Sequence, residues 1–263
     1  MNALARRAIH VALLLALLAI TAAAHAGRSC ESKPLRVSAI ERAIQLAEHT
    51  ARRLDASGAQ VVVLARAGQD LSAYGLRYSH LGLAYREGSV WRVVHKLNQC
   101  GSARATLYRQ GLGEFFLDEL YDYEAAIVVP TPEVQARLLP ALRDNALVAR
   151  LDTPAYSMVA YPWAQTYQQS NQWAIETLAM TQDPAASTRE RAQAWLKLQG
   201  YTPTTLRISA LKRLGARATA ANVAFDDHPN EKRFSDRIET VTVDSVFSWL
   251  NRSGLGGPVQ VIR

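Results

Sequence analysis

Two histidines in apolar segments are the residues of this chain whose type and spacing most directly indicate chemistry. His80 begins the segment His80-Leu81-Gly82-Leu83, and His95 lies within the apolar run 93–97. The segment Glu87-Gly88-Ser89 between them predicts a tight hairpin. Strands paired about that turn would place both imidazoles on one face, as a general base and the residue that orients it. The alternative is that each imidazole only satisfies a hydrogen bond at a strand end.

A serine at the start of a predicted helix is the third candidate. Ser170 lies in Gln169-Ser170-Asn171-Gln172-Trp173-Ala174, where the helix dipole and unpaired backbone N–H groups would favour a nucleophilic hydroxyl and a developing oxyanion. Serine is also one of the best N-cap residues. A plain structural cap therefore explains Ser170 fully, and local sequence alone favours that interpretation.

The elements that must position these residues follow from hydrophobic periodicity and turn signals. Ser38-Ala39-Ile40-Glu41 predicts a capping box for a helix that ends near Ser57-Gly58. Clustered strands followed by helices favour the α+β class in one compact unit. The predicted strands are 60–65, 78–86, 90–97, 123–129 and 238–243, and the predicted helices are 113–120, 131–147, 171–180, 187–198, 205–214 and 244–250.

Several kinds of site are not indicated by the sequence. It contains no P-loop, no dinucleotide glycine fingerprint, no His-Glu-x-x-His and no cysteine quartet, so we expect no cofactor and no metal. Asp226-Asp227-His228 is interpreted as a solvated turn. The net charge of +7 comes from interspersed charges of both signs, so we expect no nucleic-acid partner.

The N-terminus has the pattern of a cleavable secretion signal over residues 1–26. Arg6 and Arg7 precede an apolar run from His10 to Ala24, and Ala24-His25-Ala26 matches a cleavage site. We therefore expect a periplasmic or secreted mature domain over 27–263, with no transmembrane segment. Such a mature chain would keep 28 basic and 23 acidic residues, a net charge of +5.

The chain contains two cysteines, Cys30 and Cys100, both after the predicted cleavage site. In an oxidising compartment an even pair most simply forms one disulfide. The alternative is a reactive thiol, but neither cysteine opens a predicted helix beside a base.

The three candidate segments, in this order, resemble the circularly permuted branch of the NlpC-type, papain-like superfamily, which includes lecithin:retinol acyltransferase-like proteins. The resemblance is carried by Tyr78-Ser79-His80-Leu81-Gly82-Leu83, by Val93-Val94-His95, and by Gln169–Ala174, where Ser170 stands at the position of the family's nucleophilic cysteine. It implies an antiparallel sheet with packed helices over about residues 60–180. The stretch 187–263 has no counterpart in that superfamily, and its residue pattern predicts a mainly helical C-terminal extension. The whole chain also resembles an uncharacterised family of exported proteobacterial proteins.

The resemblance to the NlpC-type superfamily implies an envelope hydrolase or acyltransferase that acts on an amide or ester, with a peptidoglycan peptide or a lipid as substrate. Ser170 would be the nucleophile, His80 the general base and His95 the residue that orients His80. A serine cannot be ionised by a helix terminus as a cysteine can, so His80 would have to take its proton during attack. The alternative is a catalytically inactive module that keeps the cleft and binds an envelope peptide or lipid.

Overall fold

A six-stranded antiparallel sheet forms the centre of the structure, a computed structural model that describes residues 34–118 and 120–263. The strand order is β4-β3-β2-β1-β5-β8, and β6 and β7 form a separate antiparallel pair. The predicted signal over 1–26 and Cys30 lie outside the described residues. The strands are β1 (Val61–Arg66), β2 (His80–Glu87), β3 (Val90–Asn98), β4 (Ala105–Gly111), β5 (Ala125–Val128), β6 (Thr204–Arg207), β7 (Arg237–Thr240) and β8 (Gln260–Ile262).

Helices cover both faces of this sheet, so its side chains divide between two core clusters. Leu81, Leu83 and Tyr85 belong to the cluster that contains Trp173, whereas Ala84 belongs to the cluster that contains Phe115. This alternation is the two-residue period of a strand. The helices are α1 (Val37–Ala56), α2 (Leu112–Phe116), α3 (Pro132–Arg143), α4 (Asn145–Ala149), α5 (Ser170–Gln182), α6 (Arg189–Leu198), α7 (Ala210–Thr219), α8 (Asn230–Arg233) and α9 (Val243–Arg252).

The β2–β3 hairpin has the predicted turn. Glu87 pairs with Val90, and Gly88 between them has φ 60°, a left-handed conformation that glycine adopts without strain. At the other end of the hairpin Gly82 lies close to β3. A Cβ placed on it would be 2.5 Å from Val93 Cγ1 and 3.1 Å from His95 Cβ, so these two strands approach closely where His95 is held.

Helix α5 is buried along almost its whole length, including its polar residues. Glu176 is fully buried, and its carboxylate accepts hydrogen bonds from Arg189 Nε at 2.8 Å, Gln168 Nε2 at 2.6 Å and Gln193 Nε2 at 2.7 Å. A buried carboxylate is tolerated where a cation and several donors satisfy it. This network connects α5 to α6 and to the segment that leads into Ser170.

The mixed α+β class is confirmed, but two local predictions near the N-terminus and in α3 are wrong. The capping box at Ser38 does not form, because α1 begins at Val37 with Arg36 at the N-cap and no side-chain cap. The predicted helix 131–147 is divided at Asp144, whose side chain accepts from the backbone N–H groups of Ala146 and Leu147. An Asp that caps a new helix interrupts the previous one.

The C-terminal part contains more strands than the mainly helical extension predicted from the sequence. Residues predicted as the helix 205–214 form strand β6 and the start of α7, because Leu206 pairs with Ile238 of β7. Strand β8 pairs with β5 and so completes the main sheet. Strands β4 and β8 were not predicted. Within the described ranges, no helix is long and apolar enough to cross a membrane.

Candidate active site

The two histidines predicted to share a face are hydrogen-bonded to each other. His80 Nε2 lies 2.9 Å from His95 Nδ1, and His95 Nε2 lies 2.7 Å from Gln110 Oε1 of β4. His80 is 9% exposed and His95 is fully buried. The two imidazoles and Gln110 therefore form one series of hydrogen-bonded side chains across β2, β3 and β4. A structural role and a catalytic role would both produce this arrangement, so the choice between them stays a prediction.

The hydrogen-bond partners determine which ring nitrogen donates and which accepts in this series of side chains. Gln110 Oε1 is an acceptor, so His95 Nε2–H donates to it. Nδ1 of a neutral His95 then accepts from His80 Nε2–H, which leaves the basic lone pair of His80 on Nδ1. This hydrogen bond thus selects one tautomer of His80. The orienting role of His95 in catalysis stays a prediction.

The burial of His95 keeps it neutral. Desolvation lowers its pKa to about 4, and the positive charge of Arg66 acts in the same direction, while Gln110 and Asp118 oppose the shift. Phe115 of α2 forms the floor beneath the pair, with its ring centroid 6.0 Å from that of His80 and 5.1 Å from that of His95. The Arg66 guanidinium donates to the Phe115 carbonyl and to Asp118 Oδ2, which fixes both the cation and this aromatic floor.

Ser170 is the first residue of α5 and not its N-cap. The N-cap is Gln169, whose Oε1 accepts from Asn171 N–H at 2.8 Å. The simple capping role that local sequence allowed for Ser170 is therefore performed by its neighbour. Ser170 is 6% exposed. It lies near Tyr156, whose pKa is raised by burial and lowered to a smaller extent by the Ser170 side chain.

The start of α5 meets β2 at the point where the β2–β3 ladder ends. The last pair of the ladder in the direction of His80 is Leu83–Val94. Beyond it, Leu81 N–H donates to Asn171 Oδ1 at 3.0 Å, and Asn171 Nδ2 donates to the Val241 carbonyl at 3.2 Å. The residues that follow His80 and Ser170 in the chain are thus hydrogen-bonded to each other.

The structure places the two imidazoles and α5, which begins at Ser170, against opposite faces of the sheet. The imidazoles contact Phe115 of one core cluster, whereas α5 packs through Trp173 in the cluster on the other face. Among the described residues, no hydrogen bond joins Ser170 to His80 or His95. The catalytic pairing of Ser170 with His80 therefore stays a prediction.

Sequence reasoning missed Gln110 and Asn171. Gln110 was missed because β4 was not predicted, although Thr106, Leu107 and Tyr108 are residues that favour strands. Asn171 lies within the segment Gln169–Ala174 that the sequence singled out, but its contact with Leu81 joins residues 90 positions apart. No local pattern indicates such a contact.

The cluster Asp226-Asp227-His228, interpreted as a solvated turn, is partly buried. The side chains of Asp227 and His228 are fully buried and meet at 2.9 Å, and His228 Nε2 lies 2.9 Å from the Glu239 carbonyl oxygen. The prediction was wrong here because β7 covers this loop. Within the described part of the chain, no group of three His, Cys, Asp or Glu residues is arranged to hold a metal ion.

The predicted disulfide involves one described residue only. Cys100 lies in the exposed turn after β3 and is not a free thiol. Because Cys30 lies outside the described residues, the Cys30–Cys100 pairing stays a prediction.

Comparison with known proteins gives one match. The model of a family described as "Uncharacterized protein conserved in bacteria (DUF2145)" matches residues 53–250, a range that contains His80, His95 and Ser170. No curated protein and no solved structure matches the chain.

Proposed function

This chain belongs to the bacterial protein family DUF2145, and on that premise we propose that it is an acyl-transfer enzyme. It would be an exported hydrolase or acyltransferase that acts on an amide or ester of the cell envelope, a peptidoglycan peptide or a lipid. The observation that carries the proposal is the chain His80–His95–Gln110, with distances of 2.9 Å and 2.7 Å, beside the start of α5. A buried, neutral imidazole that fixes the tautomer of a second imidazole supports general base catalysis.

In the proposed reaction Ser170 Oγ attacks the carbonyl carbon of the substrate while His80 Nδ1 takes the hydroxyl proton. The tetrahedral intermediate collapses as His80 returns that proton to the leaving amine or alcohol. Water or another acceptor then releases the acyl group from Ser170 by the reverse sequence. His95 accepts from His80 Nε2–H throughout, which stabilises the imidazolium.

The first turn of α5 would stabilise the oxyanion. Asn171 N–H is already bonded to Gln169 Oε1, so we assign this role to the N–H groups of Ser170 and Gln172. Both Ser170 and His80 are at least nine-tenths buried. That burial favours a substrate that inserts a narrow acyl chain or extended peptide over one bound on a broad surface.

The proposal extends to fold and compartment. From the resemblance alone, we propose a circularly permuted papain-like arrangement for the core over about residues 60–180. Export is proposed from the signal pattern of residues 1–26, and N-terminal sequencing of the protein from its native cell should then begin at Gly27. A sequence that begins at Met1 would contradict it.

A second candidate function is a non-catalytic module that binds an envelope peptide or lipid. It is favoured by one observation, the serine at the position where the resembling family has cysteine. Substitution of a nucleophilic thiol by a hydroxyl usually abolishes thiol-enzyme activity.

Labelling of the purified protein with a fluorophosphonate distinguishes the two candidates. We expect labelling that is abolished in Ser170→Ala and reduced at least ~100-fold in His80→Gln, since general base catalysis contributes about 10²–10⁴-fold. Ser248→Ala on the exposed side of α9 is the matched control and should label as the unsubstituted protein does. Each variant is first shown to keep its cooperative unfolding transition.

The Ser170→Cys variant distinguishes a site that has no catalytic base from one in which the base is present but serine reacts slowly. If the imidazole pair serves as a base, the new thiol should react with iodoacetamide at least ~10-fold faster than a thiol in Ser248→Cys, because a neighbouring base and a helix N-terminus lower a thiol pKa. This excess should be lost when His80→Gln is added. No labelling of Ser170, together with no excess reactivity of the thiol, would favour the binding module.

A further inference from the structure

Helix α7 presents an apolar face that nothing in the described structure covers. Leu211 is 79% exposed and Leu214 is 68% exposed, and they lie three residues apart on the same side of the helix. The single buried residue of α7 is Arg213. Two leucines that are each more than two-thirds exposed on one turn of a helix are unusual unless that face meets an apolar environment.

The opposite side of α7 anchors the helix to the rest of the protein. Arg213 donates to the Ile208 carbonyl and to Asp236 Oδ1, and Ala216 packs against a small core cluster around Leu206 and Ile238. The orientation of the helix is therefore fixed, with its leucines directed away from the protein.

Cations lie on both sides of this leucine face. At about 100° per residue, Lys212 and Arg217 fall on either flank of Leu211 and Leu214, and both cations are exposed. The chain from Arg191 to Phe225 contains six Lys or Arg residues and no Asp or Glu. Asp236, which lies against α7, is paired with Arg213. The flanks of the helix are therefore positively charged.

The corner between α8 and β7 extends the same surface. Phe234, two residues before Asp236, is 71% exposed, and the Arg233 guanidinium lies 4.8 Å from its ring centroid. Arg237 is exposed and pairs with Arg207 at the end of the β6–β7 ladder. We call the set Leu211, Lys212, Leu214, Arg217, Phe234 and Arg237 the α7 patch.

We infer that the α7 patch binds the surface of an anionic phospholipid bilayer, with the leucines and Phe234 in the acyl boundary and the cations among the phosphates. An amphipathic helix with apolar residues on one face and flanking Lys or Arg is the usual form of interfacial binding. A protein partner would need about 800 Å² of matched surface on each side. Two leucines on α7 and one phenylalanine beside it form too small an apolar surface for such an interface, which favours the bilayer over that alternative.

Flotation with lipid vesicles tests this inference on the full chain and does not depend on catalysis. We expect the protein to bind vesicles of phosphatidylglycerol and phosphatidylcholine, and to bind pure phosphatidylcholine at least ~10-fold more weakly. Lys212→Gln/Arg217→Gln should weaken binding to the anionic vesicles ~25-fold, at about fivefold for each cation. Leu211→Ser/Leu214→Ser should weaken it at least ~10-fold, because both leucines lose their apolar burial.

Matched controls are available elsewhere on the surface. Arg53→Gln/Arg150→Gln removes the same charge from exposed positions outside the patch, and Val37→Ser removes an apolar side chain that is 71% exposed on α1. Both should bind as the unsubstituted protein does. Absence of binding to anionic vesicles would overturn the inference and leave an acidic protein as the partner to seek. Equal losses in the patch variants and the controls would overturn it as well, since binding would then not depend on the α7 patch in particular.

Discussion

At the scale of single residues, the site depends on an imidazole that stays uncharged. His95 is fully buried between Phe115 and Gln110, and neither neighbour offers a negative charge. Its pKa of about 4 means that Nδ1 remains an acceptor for His80 at every pH above that value. The positive charge of Arg66 adds to this effect, so the cation beside the site helps to keep His95 neutral.

This lowered pKa predicts how the stability of the protein depends on pH. The unfolded chain has an ordinary His95 pKa near 6.5 and binds more protons between about pH 6.5 and 4 than the folded chain does. Stability from His95 is therefore complete above pH 6.5 and is lost as the pH falls towards 4, by about 3 kcal/mol at most. Urea unfolding at pH 7 and pH 4.5 measures it.

The matched control is His95→Gln, which keeps a polar group but does not titrate. It should be less stable at pH 7 and should lose less stability than the unsubstituted protein between pH 7 and 4.5. An identical loss in both proteins would show that other groups, such as the ion-paired Glu124, whose pKa is held to about 2 mainly by Arg77, account for the pH dependence.

At the scale of elements, the position of His95 depends on how closely β2 approaches β3. Gly82 is the residue that permits this approach, because a Cβ there would lie 2.5 Å from Val93 Cγ1 and 3.2 Å from the Val94 carbonyl oxygen. The strands that carry His80 and His95 can therefore lie close together because Gly82 has no side chain.

The substitution Gly82→Ala should destabilise the protein by about 1–3 kcal/mol, the usual cost of overpacking a filled core. Thermal or urea unfolding measures this change. The control is Gly113→Ala in α2, where the new Cβ would meet Ile44 Cδ1 at an ordinary 3.7 Å. That variant should be neutral or more stable by up to ~1 kcal/mol, since alanine favours a helix. Equal effects of the two substitutions would contradict the close approach of the strands.

At the scale of the whole molecule, the last strand of the chain, β8, joins the sheet that the first five strands form. Strand β8 pairs with β5 through Ala125–Ile262 and Ala126–Val261. Arg263 continues this connection, since its side chain contacts Glu124 and its carbonyl oxygen lies 2.8 Å from His49 Nδ1 of α1. Segments more than a hundred residues apart thus close one edge of the sheet.

Two adjacent residues of β8 test this closure. Ile262 is 6% exposed and belongs to the core cluster beneath α1, whereas Val261 is 48% exposed. Ile262→Ala should cost about 2–5 kcal/mol, as for other buried Ile truncations, and Val261→Ala should stay within ~0.5 kcal/mol. If both variants unfold at the same urea concentration as the unsubstituted protein, β8 does not contribute to the sheet.

The sequence by itself determined the local parts of this protein. Apolar runs and turn residues predicted β1, β2, β3 and β5 and most helices, because the hydrophobic periods of strands and helices involve residues close together in the sequence. The spacing about Gly88 placed His80 and His95 on one face, since a hairpin fixes its own register. The family that the chain belongs to is likewise a property of its sequence.

Only the tertiary structure decided which distant groups complete the site. Gln110 reaches His95 because β4 pairs with β3, Gln169 takes the capping role from Ser170, and Asn171 takes the place of a β3 partner beside Leu81. The same reason explains β6, where pairing with β7 overrides a local helical pattern. Apart from the Gln169 cap, these outcomes depend on contacts between residues far apart in the chain, whose free energy exceeds the small local preferences that a sequence window contains.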